Sequence, residues 1–187
     1  PGVIATSPKF SPDGKSIAYS TVKFQQGQQP TLALNVMDAD GANVRKVAEG
    51  VLPDWAPDGK SIAFTTFDFS QTFAPGLRVL DLASGSSREL TMGENAMMPA
   101  YSPGGKSIAF VSDGGSGPLP DIHVMSADGS GRRRLTTTDN DFETDPQWSP
   151  DDATVYFARL SNEEIPHAAL QSIPAGVELS WPAAFNG

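Results

Sequence analysis

Apolar residues along this chain come in short clusters, without the long three-to-four spacing of an amphipathic helix. Four clusters are related: Ile17-Ala18-Tyr19, Ile62-Ala63-Phe64, Ile108-Ala109-Phe110 and Val155-Tyr156-Phe157. A short uninterrupted apolar run bounded by turn signals predicts a β-strand packed on both faces. One phrase precedes each cluster: Phe10-Ser11-Pro12-Asp13-Gly14-Lys15, Trp55-Ala56-Pro57-Asp58-Gly59-Lys60, Tyr101-Ser102-Pro103-Gly104-Gly105-Lys106 and the looser Trp148-Ser149-Pro150-Asp151-Asp152-Ala153. Proline pre-sets φ at the second turn position, aspartate bonds along its own backbone, and glycine accepts positive φ. The phrase therefore predicts a hairpin leading into the buried strand.

A proline stands two residues before each aromatic (Pro8, Pro53, Pro99, Pro146), so the copies step by 45, 46 and 47 residues. Within the first copy, segments 3–10, 16–21, 32–37 and 44–48 read as four strands, with a turn at Asp38-Ala39-Asp40-Gly41. His123-Val124-Met125-Ser126-Ala127-Asp128-Gly129 repeats the third strand and its turn, and 78–85 and 171–176 are looser versions. Short outer strands follow at 44–47, 87–91, 133–136 and 177–180. A period in the forties with four short strands per copy is the spacing of one propeller blade per repeat. The expected fold is all-β: a β-propeller of four blade repeats, each of four antiparallel strands, with blades at approximately 1–49, 50–94, 95–139 and 140–187. The channel-lining strands are expected at 3–7, 51–52, 96–98 and 143–145.

The phrases Pro-x-aromatic-Ser-Pro-Asp-Gly-Lys-x-Ile-Ala-Phe and Val-Met-x-Ala-Asp-Gly-x-x-x-Arg-x-Leu-Thr resemble the WD40-like repeat of TolB-type β-propellers. The resemblance covers nearly the whole chain and is weakest in the fourth copy, where Asp152-Ala153 replaces Gly-Lys. Propellers of that family usually have six blades, so the four repeats here are expected to be a compact four-bladed ring, an arc completed by another chain or a fragment of a larger propeller, of which the fragment is favoured. Pro1 is not a natural translation start, which agrees with a removed leader or a piece of a longer protein. The resemblance further implies a non-catalytic scaffold that binds another protein or peptide, in an extracytoplasmic (periplasmic or secreted) setting, as a subunit of a larger complex. Similar propellers also precede the catalytic domain of prolyl-oligopeptidase-type peptidases, so a gating domain without its hydrolase is the alternative. A metal-dependent carbohydrate-active propeller is the third reading.

Charge and chemistry narrow these readings. Thirteen basic against 22 acidic residues give a net charge of −9, which argues against a nucleic-acid backbone or an anionic membrane as partner. Arg132-Arg133-Arg134 reads as a solvated strand rather than a phosphate footprint. No apolar run approaches the roughly eighteen residues of a direct membrane span. The absence of cysteine excludes disulfides, thiolate metal sites and a cysteine nucleophile. Gly-x-Ser-x-Gly does not occur, Ser116 coming nearest, and neither His123 nor His167 has a carboxylate at a telling spacing. No catalytic residue and no enzyme activity are expected from these residues.

The repeats also sort structural residues from special ones. Asp13 and Asp58 recur and read as turn residues; Lys15, Lys60 and Lys106 read as blade-edge side chains. Asp139, Asp141, Glu143 and Asp145 do not recur, and they place oxygen ligands on alternate residues, as a Ca2+ site would require. The segment lacks the EF-hand glycine and glutamate, and an acidic solvated loop is the simpler reading; no other cofactor is expected. Loops 24–30, 67–75 and 113–120 exceed a tight hairpin and are candidate recognition surfaces. Phe67, Phe69 and Phe73 read either as a hydrophobic anchor for a partner or as residues folded back on their blade. Met97 and Met98 read either as filler or as an adaptable contact.

Overall fold

In the computed structural model, the structure describes residues 2–69, 74–91, 94–114, 119–138, 141–161 and 168–175. These form four antiparallel sheets, each a meander in chain order. Blade one contains β1 (Val3–Phe10), β2 (Ser16–Lys23), β3 (Thr31–Asp38) and β4 (Arg45–Ala48). Blade two contains β5 (Val51–Trp55), β6 (Ser61–Asp68), β7 (Ala74–Asp81) and β8 (Ser87–Glu89). Blade three contains β9 (Met97–Tyr101), β10 (Ser107–Ser112), β11 (Asp121–Ser126) and β12 (Arg133–Arg134). Blade four contains β13 (Asp141–Trp148), β14 (Thr154–Ser161) and β15 (Ala168–Pro174), while the outer strand expected at 177–180 lies outside the described residues. No helix among the described residues is long and apolar enough to cross a membrane.

The hairpins form as their residues dictate. Gly14, Gly59 and Gly105 sit at φ of 69°, 69° and 70°, and their N–H groups donate to Ser11, Ala56 and Ser102 carbonyls. Asp13 and Asp58 accept the Lys15 and Lys60 N–H groups at 3.1 and 2.9 Å, which is the turn role expected of them. The fourth hairpin departs, and the departure has a partner. Asp152 occupies the glycine position at φ 60°, and both its carboxylate oxygens accept the Gly104 N–H at 3.0 Å. Gly104 in turn stands where blades one and two have aspartate, and a Cβ there would lie 2.3 Å from Asp152 Oδ2. Each exception makes room for the other, tying hairpin three to hairpin four.

A double-mutant cycle tests that tie. Gly104→Asp is expected to cost about 1 kcal/mol, and adding Asp152→Gly to recover most of it, a coupling of about 1 kcal/mol in denaturant unfolding. Simple additivity of the two changes would disprove the link.

The repeated triad explains how the blades stack. Ala18 of blade one, with Leu34 and Val36, meets Trp55, Ile62, Phe64 and Leu80 of blade two. Ala63, Leu77 and Val79 meet Ile108, Phe110 and Met125 of blade three, and Ala109, Ile122 and Val124 meet Val155, Phe157 and Ile173 of blade four. The alanine leaves space on one sheet for the isoleucine and phenylalanine of the next, which is how dense packing between sheets is reached. The aromatic before each hairpin adds a polar tie: Trp55 Nε1 donates to the Lys9 carbonyl at 2.9 Å and Trp148 Nε1 to the Ala100 carbonyl at 3.0 Å. Phe10, the equivalent in blade one, is 65% exposed against 8% for Trp55. At the other end Tyr156 replaces the alanine and is 41% exposed. The four sheets form an open arc, and the ring is partial.

Every innermost strand carries one extra residue just before its proline. Ser7, Leu52, Met98 and Asp145 have φ of 53°, 55°, 56° and 52°, and the pairing skips one step there. These β-bulges re-aim the backbone toward the preceding blade. The Leu52 N–H reaches Ser20 Oγ at 2.8 Å and the Met98 N–H reaches Thr65 Oγ1 at 3.1 Å. Consequently the channel-lining segments that end at residues 7, 52, 98 and 145 are only the first part of the inner strands, as the strand read at 3–10 implies for blade one. They bend through the bulge and continue to Phe10, Trp55, Tyr101 and Trp148.

Candidate functional site

Alternation of strand direction puts the Pro-Asp-Gly hairpins at one end of the arc and the connections after β2, β6, β10 and β14 at the other. At this second end, where blade three meets blade four, the repeat is broken by a buried polar cluster. Two residues before the bulge, the four repeats carry Ala5, Gly50, Ala96 and Glu143. Ala96 is fully buried, and a Cβ on Gly50 would lie 2.5 Å from the Phe64 ring. At the same place blade four puts a carboxylic acid, and Glu143 is 0% exposed.

The Glu143 side chain crosses into blade three. Its Oε2 accepts the Thr136 hydroxyl and, at 3.3 Å, the Ile122 N–H, while its buried Oε1 has no hydrogen-bond partner. Thr136 Oγ1 also accepts the Ile122 N–H at 3.0 Å, as Thr91 Oγ1 accepts the Leu77 N–H in blade two. Thr136 is thus a repeated strut, and Glu143 is an addition to it. Beyond the hydroxyl, at 3.4 Å, lies Oδ1 of Asp121, which is only 2% exposed. That oxygen accepts the Thr138 N–H at 2.9 Å, and Oδ2 pairs with Arg134. On β13 itself, Asp141 pairs with Arg159.

Burial dominates the electrostatics. It pushes the Glu143 carboxyl up to about 7; the hydroxyl of Thr136 opposes the shift and the nearby charge of Asp121 adds to it. Burial likewise raises Asp121, against the Thr138 N–H and Arg134. His123, packed 5.5 Å from the Phe110 ring, is lowered to about 4 by burial and then by Arg134, so it is neutral near pH 7. The cluster is suited to holding a proton between Glu143, Thr136 and Asp121. It offers no activated nucleophile: His123 Nε2 is buried without a partner.

The acidic run does not gather into one oxygen cage among the described residues. Asp141 turns to Arg159, Glu143 enters blade three, and Asp145 stays exposed on its bulge. No group of three or more His, Asp or Glu side chains among the described residues could hold a metal ion; Asp139 lies outside them, as does His167. The Arg132–Arg134 run is not simply solvated: Arg132 pairs with Glu94, and Arg134 pairs with Asp121 because β12 lies beside the start of β11. Met97 and Met98 are half-buried against the core between blades three and four, and Met98 Sδ accepts the Thr144 hydroxyl at 3.0 Å. Phe67 and Phe69 are half-buried and stacked, with ring centroids 6.2 Å apart; Phe73 lies outside the described residues. Sequence reasoning missed Asp121, Thr136 and Thr138. Comparing the copies at the Ala5, Gly50 and Ala96 position would have exposed Glu143 as an anomaly.

A cleft of about 800 Å³ opens between the hairpin ends of blades two and three, beside Tyr101, Arg88 and Asp58. Arg88 bridges it, donating to the Ala127 and Asp128 carbonyls. A smaller cleft occupies the equivalent place between blades three and four, beside Trp148 and Asp152. Their recurrence makes them a property of blade stacking.

Among solved structures, the chain is similar to TolB from Acinetobacter baumannii, with 25% identity and a TM-score of 0.70, covering 95% of this chain and 45% of that one. It is also similar to a putative TolB from Agrobacterium tumefaciens (20% identity, TM-score 0.68, 92% of this chain and 77% of that one). A third likeness, in fold alone, is to the β-propeller domain of the Trilobed protease from Pyrococcus furiosus, at 16% identity and a TM-score of 0.66 over 95% of this chain and 56% of that one. The chain therefore spans less than half the length of the Acinetobacter protein. No curated protein matches it. The family described as TolB beta propeller domain matches residues 20–163, most of the chain, and with the four stacked meanders this establishes that the chain belongs to the TolB β-propeller family.

Proposed function

We propose that this chain is a non-catalytic propeller segment that binds another protein or peptide through the loop end of its arc, outside the cytoplasm. The observation that carries this reading is the stacked, half-buried pair Phe67 and Phe69, set at the end where the longer connections emerge from the sheets. Aromatic rings held on a rigid scaffold present large contact area at little entropic cost, which suits them as anchors. His123 Nε2 is buried without a hydrogen-bond partner, so this imidazole activates no neighbouring hydroxyl, which agrees with a binding role. The TolB proteins to which the chain is similar support the same reading by family.

A photo-crosslinking side chain at position 69 of the natural protein, compared with one at Lys60 on the hairpin end, tests this in cells. We expect a protein adduct from position 69 and none from position 60. Phe67→Ala with Phe69→Ala should then weaken binding of the captured partner about tenfold or more, with an unchanged unfolding midpoint. Equal adduct yields at both positions, or undiminished affinity, would overturn the assignment.

A further inference from the structure

We propose that Glu143 is a pH-operated latch between blades three and four: protonated, it ties β13 to β11 across the interface, and ionised, it loosens that junction. Three observations carry this. The position is buried alanine in blade three and sterically closed glycine in blade two, so a carboxyl group there is no requirement of the fold. The side chain spans two sheets, meeting the backbone of Ile122 and the hydroxyl of Thr136. Its second oxygen is buried and partnerless, so an ionised carboxylate would have a lone-pair face with neither water nor donor.

The surrounding charges leave it no counter-ion of its own. On β11, Asp121 is committed to Arg134 of β12, and His123 is neutral across the relevant range. On β14, Arg159 is committed to Asp141 of β13; Asp145 on the same strand is exposed. β10 carries no ionisable side chain, β9 only Tyr101, and Asp113 beyond β10 accepts the Asn95 amide. An ionised Glu143 would be a third carboxylate shared by two guanidinium groups. In the protonated state the order closes: Glu143 O–H donates to Thr136, whose hydroxyl donates to Asp121, which Arg134 holds charged.

The direction follows from linkage. The native carboxyl titrates near 7 and the unfolded one near the ordinary 4.5. Below 4.5 both states are neutral, and the contribution of the latch is fully present. As the pH rises toward 7 the unfolded chain ionises first, so stability is lost, and the loss levels off above the native value.

Hydrogen exchange on the natural protein, corrected for intrinsic rates, tests the proposal. Between pH 6 and 8, protection of amides in β11 and β13 should fall about tenfold, while Glu143→Gln should change less than about twofold. An unchanged wild-type protein, or a Gln variant that falls equally, would overturn it. Should the Gln variant not fold, the carbon-13 carboxyl signal of Glu143 in the unmodified protein decides alone: a midpoint near 7 supports the latch and one near 4.5 rejects it.

Discussion

Replacing Phe110 by alanine should lower the unfolding free energy by about 4 kcal/mol. The ring is 0% exposed, packs against Ala63, Leu77 and Val79 of blade two, and lies tilted at 31° to the His123 imidazole. Removing it leaves a cavity that two rigid sheets cannot collapse to fill, and it exposes a partnerless imidazole nitrogen to that void. Chemical denaturation of the natural protein measures the cost. Phe10→Ala is the comparison: at 65% exposure it should cost less than about 1 kcal/mol. An equal cost at both positions would mean that a further sheet covers the outer face of blade one.

Gly50→Ala should be almost as damaging, by about 3 kcal/mol, although it adds one methyl group. The new Cβ would lie 2.5 Å from Phe64 Cδ2 and 2.6 Å from the Thr65 carbonyl oxygen. The ring is itself locked between blades one and two, and the carbonyl belongs to the strand ladder, so neither can yield. Thermal unfolding should show a marked fall in midpoint. A change within about 0.5 kcal/mol would mean that β5 can shift away from β6, contrary to the tight inner edge described above.

Much of this fold can be read from local patterns. Ile-Ala-Phe predicts a strand packed on both faces, and the hairpin chemistry of Pro-Asp-Gly located its start. The ends of β2 and β3 differ from the sequence reading by only one or two residues. The site was less legible. Asp141, Glu143 and Asp145 look equivalent in the sequence, as alternate acids on one segment. Strand alternation alone would even put them on one face, as a cation site needs. In the structure they part company: the extra bulge residue re-aims Asp145, Arg159 takes Asp141, and only Glu143 faces the neighbouring sheet. The ion pairs of the arginine run were hidden for a similar reason: Arg132 meets Glu94 across 38 residues, and Arg134 meets Asp121 because β12 pairs with β11.

The sequence by itself determined the repeat, the four-strand unit, its turns and the apolar run of the second strand. All of these depend on residues within a few positions of each other, where φ preferences and the two-residue period of a strand act directly. The tertiary structure alone decided what crosses between blades. Gly104 and Asp152 fit each other across 48 residues, and Glu143 finds Ile122 across 21. Those contacts depend on how far each bulge turns its strand toward the preceding blade. That geometry is collective, and burial then decides which of several similar carboxylates keeps its proton.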